Sequence, residues 1–178
     1  MNLASTVFCI SLSIVVRNNH QIGPNNQNAL SVIVRNQVSK MGQAFINGDY
    51  KTVAYYTYPE IVKMMGGESK MKQTLAKLVS DMNVKGMMFN SITFGDVSKI
   101  VKSGNELQCT IPQHTEIKLL SGRAISTSIL IGISTDGGSN WTFIDTSDKD
   151  ITTIKRLLPN LSSAIVITPQ EPPVRYAN

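Results

Sequence analysis

The sequence predicts an α+β domain, with helices in its first half packed on one face of an antiparallel sheet. The hydrophobic period changes once, near Gly86 to Phe94: apolar residues recur at helical spacing before it and alternate in twos after it. A hydrophobic fraction of 42% over 178 residues is enough to bury one core. Glycine and proline punctuation divides the chain into elements of ordinary length.

Leu3 to Val16 (LASTVFCISLSIVV) matches the hydrophobic region of a signal peptide and falls short of the roughly 20 residues a transmembrane helix needs. It predicts export, periplasmic or secreted, without a stable membrane anchor. No Lys or Arg precedes the run and Arg17 follows it, so a cytoplasmic protein with a buried N-terminal strand is the alternative. Asn18 to Asn28 is polar and broken by Gly23-Pro24, a linker composition. Residues 1–28 are therefore expected to be signal segment and linker, 29–168 the folded domain, and 169–178, rich in proline, a flexible tail.

Leu30, Val34, Val38, Met41 and Phe45 form one helical stripe, which Asn47-Gly48 ends. Asp49 can cap a short second helix, and Pro59 suits the first turn of a third because its missing N–H is not needed there. After Gly66-Gly67, Ser69 is expected to cap a fourth helix with Met71, Leu75, Leu78, Val79 and Met82 on one side. Four of the five tyrosines, Tyr50, Tyr55, Tyr56 and Tyr58, crowd the second and third helices. They can line a cavity or simply pack the core and its rim.

In the strand half, Leu107 to Leu119 alternates, with Cys109, Ile111 and Gln113 on the parity facing the helices and His114 on the other. In the strand after Ser121-Gly122, Thr127, Ile129, Ile131 and Ile133 are expected inward, with Ser126, Ser128 and Gly132 outward. That small-residue outer face would be flat enough for a sheet-to-sheet homodimer. Ser134 to Trp141 fits the S-x-D-x-G-x-x-W hairpin turn of an Asp-box, a single copy and so a turn rather than a propeller blade. Trp141, Phe143 and Asp145 then share the inward parity. A carboxylate among apolar residues needs a partner, so Asp145 is either a functional group or the cap of the turn at Thr146, Ser147 and Asp148. A helix is expected over Ile151 to Leu158 and an edge strand over Ala164 to Thr168.

The +5 net charge comes from scattered lysines, which describes a solvated basic surface and predicts no nucleic-acid partner. Cys9 and Cys109 propose no disulfide framework, and His20 and His114 belong to no ligand-spaced cluster, so no metal or cofactor is expected.

The order of elements, together with Phe45-Ile46-Asn47-Gly48-Asp49-Tyr50 and Tyr58-Pro59-Glu60-Ile61-Val62, resembles the nuclear-transport-factor-2-like (SnoaL-like) superfamily over about Leu30 to Thr146. The resemblance implies a cystatin-like cone, a curved antiparallel sheet with helices closing a pocket. Some members use that pocket for isomerase or dehydratase chemistry and many only for binding or dimerisation. Three functions follow. The first is a non-catalytic, exported domain holding a small apolar ligand or a protein partner. Its lining would be Tyr55 and Tyr58 from the helices, Ile111, Gln113 and Thr127 from the long strands, and Trp141, Phe143 and Asp145 from the last hairpin. The second is an enzyme with Asp145 as general base and a tyrosine hydroxyl as electrophilic partner. The third is a module dimerising through the outer sheet face.

Overall fold

The computed structural model describes residues 22–147 and 149–177. The apolar run Leu3–Val16, Cys9 and Asp148 lie outside the described residues. Four helices come first: α1 (Pro24–Ile46), α2 (Tyr50–Tyr56), α3 (Pro59–Met64) and α4 (Glu68–Val84). Strands β1 (Met88–Phe94), β2 (Val101–Ser103), β3 (Glu106–Lys118), β4 (Arg123–Ser134) and β5 (Thr142–Asp145) follow, then α5 (Ile151–Leu157) and β6 (Val174–Tyr176). The helices pack on a strongly curled antiparallel sheet that forms a half-barrel, an α+β cone.

Local chemistry accounts for most boundaries. Pro24 opens α1 inside the stretch expected to be a linker, where its absent N–H costs nothing. Gln27, also from that stretch, clamps the backbone of Ile100: its Nε2 donates to the Ile100 carbonyl at 2.6 Å and its Oε1 accepts from the Ile100 N–H at 3.0 Å. A polar side chain thus serves as a tertiary bond rather than as linker solubility. Asn47 ends α1, and Asp49 caps α2 by accepting from the Thr52 N–H. Helix α4 starts after Gly67, earlier than the expected Ser69 cap, with no side-chain bond at its N-terminus.

The sheet runs β1-β3-β4-β5, with β2 on the start of β3 and β6 on the start of β4. The long hairpin β3–β4 is its backbone, in a register that pairs Lys118 with Arg123, Gln113 with Ser128, Ile111 with Leu130 and Cys109 with Gly132. Odd-numbered residues of β3 therefore lie on the same face as even-numbered residues of β4. The expected facing of β4 is corrected accordingly: Ser126, Ser128 and Gly132 line the concave side, and Thr127, Ile131 and Ile133 do not. The small-residue face that suggested a sheet-to-sheet dimer is turned inward, and Ile131 and Ile133 are covered by α5 instead.

Two packed clusters hold the sheet from either side. On the concave side Val34 and Val38 of α1 meet Ile100, Cys109, Ile111, Leu130, Trp141 and Phe143. On the convex side Ile131, Ile133 and Ile144 meet Ile154 and Leu158. Each fully buried side chain of this size contributes about 1.5–3 kcal/mol, so both clusters help to hold the facing of β4. The segment Ala164–Thr168 is irregular rather than a strand, and the tail expected to be free instead pairs as β6 with Arg123–Ile125.

Candidate functional site

A cavity of about 570 Å³ lies between the helices and the concave sheet face. Its helical wall is apolar: Met41 and Phe45 from α1, Met65 after α3, and Met71, Leu75 and Leu78 from α4. Phe89 and Ile92 of β1 continue that wall, and Leu130 and Phe143 join it to the packed cluster behind. Gly42 lets α1 approach β1 closely, because a Cβ there would stand 2.8 Å from the ring of Phe94.

Apart from Thr57, between α2 and α3, the polar lining comes from the sheet and the turn after it. Gln113 and Thr115 come from β3, Ser126 and Ser128 from β4, and Asp145, Ser147 and Lys149 from β5 and its exit. Asp145 is half-buried. Its Oδ1 accepts from the Ser147 N–H at 2.8 Å and from the Ser147 hydroxyl at 2.6 Å. Its Oδ2 faces Gln113 Nε2 at 3.5 Å, the same distance that separates that nitrogen from Ser128 Oγ. Lys149 Nζ donates to the Ser147 carbonyl at 3.2 Å. The carboxylate caps the turn with Oδ1, as one reading of its sequence position has it, and the residue lines the cavity.

Of the eight lining residues expected from sequence, the cavity contains Gln113, Phe143 and Asp145. Ile111 and Trp141 are one layer deeper, buried in the cluster beside it. Thr127 is on the opposite sheet face, where its hydroxyl lies 3.0 Å from Nδ1 of His114, a histidine that points outward as its parity predicts. Tyr55 is on the surface, 68% exposed. Tyr58 packs toward the convex cluster, and burial, then Glu106 and Glu60, push its phenol above the ordinary value. No tyrosine lines the cavity, so the Asp145–tyrosine pair expected for an enzyme is not assembled.

Two groups of lining residues show why the sequence does not single them out. Met71, Leu75 and Leu78 have the spacing of core residues and were indistinguishable from them by period. Ser126 and Ser128 lie on the face of β4 that alternation alone assigns to the outside. A count of the β3–β4 turn would have found them, since Leu119 N–H donates to the Gly122 carbonyl across a two-residue turn at Leu120 and Ser121.

The hairpin turn between β4 and β5 leads into the strand that carries Phe143 and Asp145. Ser134 Oγ and the Asn140 N–H both donate to Asp136 Oδ1, at 2.8 and 2.9 Å, and Asn140 Nδ2 donates to Oδ2 at 2.7 Å. Those bonds, led by the Asn140 N–H, hold the Asp136 carboxyl down at about 2. Trp141 Nε1 donates to the Gly138 carbonyl at 2.9 Å. Gln37 of α1 clasps the same turn, its Oε1 accepting from the Trp141 N–H at 2.8 Å and its Nε2 donating to the Ser139 carbonyl at 2.8 Å.

Among the described residues no grouping of three or more His, Cys, Asp or Glu could hold a metal ion, and no helix is long and apolar enough to cross a membrane. Compared with family models, curated proteins and solved structures, the chain matches none.

Proposed function

We propose that this chain is a non-catalytic, nuclear-transport-factor-2-like domain, exported by its apolar N-terminal run, that holds a small and largely apolar ligand in the cone. The observation that carries the reading is the cavity of about 570 Å³ with a mainly apolar helical wall and polar groups concentrated on the sheet side. Ligand sites usually have that composition. The order of helices and curled sheet, and the Phe45–Tyr50 and Tyr58–Val62 segments, support the family assignment. The alternative, a dehydratase or isomerase with Asp145 as general base, keeps its carboxylate in the cavity but has no tyrosine beside it to polarise a substrate.

Binding of an environment-sensitive naphthalene dye to the full chain tests the proposal, with Ser128→Phe as the blocked variant. Ser128 is buried and lines the cavity, so the added ring would occupy the space the dye needs. The expected result is saturable enhancement in the parent protein and its loss in the variant, with the thermal midpoint held or raised. Equal dye binding by both proteins would refute the cone as the binding place.

A further inference from the structure

The cavity is divided by polarity, and the division constrains what fits it. No charged residue lines the helical wall, whereas the sheet side carries the carboxylate of Asp145 and the ammonium of Lys149. A ligand filling this space has to lay an apolar body on the helices and turn a polar end toward β5. The two charges are not equally available to it. Lys149 Nζ gives one of its N–H donors to the Ser147 carbonyl, and the residue also borders a second space lined by residues 165–173. Asp145 makes no ion pair among the described residues. Ser147 occupies its Oδ1, while Oδ2 has as its described donor only Gln113 Nε2 at 3.5 Å, the long limit of a hydrogen bond.

Covering that oxygen with hydrocarbon would strip water from a carboxylate without replacing its hydrogen bonds, and covering it with an anion would add repulsion. A donor on the ligand removes the penalty. A protonated amine removes most of it, because a charge-assisted bond is roughly twice as strong as a neutral one. Resting on the reading of this space as a ligand chamber, we propose that it takes an amphiphilic amine, with an apolar body along Met41, Phe45, Met71 and Leu75 and a protonated nitrogen on Asp145 Oδ2.

The test is a matched series on the full chain: dodecylamine, dodecanol and dodecanoate below their aggregation concentrations, measured by calorimetry at neutral pH. The amine is expected to bind about tenfold or more tightly than the alcohol, and the carboxylate more weakly than either. Asp145→Asn is expected to erase the preference for amine while dodecanol binding is retained, which also reports an intact cavity. Asp145→Ser is the second variant if the amide does not fold. A preference for dodecanoate, or an amine preference that survives both substitutions, would overturn the amine assignment and leave the chamber standing. Failure of all three compounds to bind would overturn the chamber, and this inference with it.

Discussion

Trp141 is the side chain on which the hairpin turn, helix α1 and the concave cluster converge, so replacing it measures how strongly the floor of the site is built. It is 1% exposed, its ring packs among Val34, Val38 and their neighbours, and its Nε1 donates to the Gly138 carbonyl. Trp141→Ala removes the ring and leaves a cavity, a change that typically costs about 3–5 kcal/mol. Trp141→Phe keeps most of the apolar contact and removes the hydrogen bond, leaving the carbonyl of buried Gly138 without that donor, for about 1–2 kcal/mol. In a domain of this size each kcal/mol lowers the thermal midpoint by about 2–4 °C, so the expected losses are about 6–20 °C for Ala and about 2–8 °C for Phe. The chain has a single tryptophan, so unfolding is followed by circular dichroism rather than by intrinsic indole fluorescence. The bond from the Trp141 N–H to Gln37 belongs to the backbone and is present in both variants, which keeps the comparison to the side chain alone. A Trp141→Phe midpoint indistinguishable from the parent would refute the assignment of energy to the indole bond. An Ala variant as stable as the Phe variant would refute the packing argument.

Two further predictions concern titration. The Asp136 carboxyl lies at about 2 in the folded protein against an ordinary 3.8, so its contribution is fully present above the unfolded value and is lost as the pH falls through the folded one. The side chain is exposed and solvent screens it, which limits the effect to about 1 kcal/mol. Asp136→Ala is expected to lower the urea midpoint at neutral pH, with the gap to the parent narrowing as the pH falls from about 4 toward 2; a gap at pH 2 as large as at neutral pH would mean that shape rather than charge stabilises the turn. Burial pushes the Cys109 thiol up to about 12, so iodoacetamide at pH 8 is expected to leave the Cys109 peptide unmodified until urea unfolds the chain. Mass spectrometry showing rapid native-state alkylation of that peptide would contradict its place in the core.

Much of the local chemistry of the chain is legible in the sequence, the starts of α1 and α4 excepted. Asn47-Gly48 stops α1, Asp49 caps α2, Pro59 starts α3, and the Asp136 and Trp141 turn closes the last hairpin as their types demand. The inward parity of Gln113, Phe143 and Asp145 followed from β3 and β5 each read alone. Such features depend on neighbours a few residues away, and the sequence states who those neighbours are.

The facing of β4 and the contents of the cone were decided elsewhere. β4 has apolar partners on both sides, α1 and the helical wall at Leu130 and α5 at Ile131 and Ile133, so an alternating pattern establishes two faces without saying which one is concave. The register with β3 settles it, and with it removes Thr127 from the cavity and admits Ser126 and Ser128. In the same way, Ile111 and Trp141 share a parity with Asp145 but reach a part of the half-barrel that α1 fills, whereas the helices leave space in front of Asp145. Periodicity fixes the direction of a side chain relative to its own strand. Whether that direction ends in solvent, in a packed cluster or in a cavity depends on residues far along the chain, which only the tertiary structure brings into place.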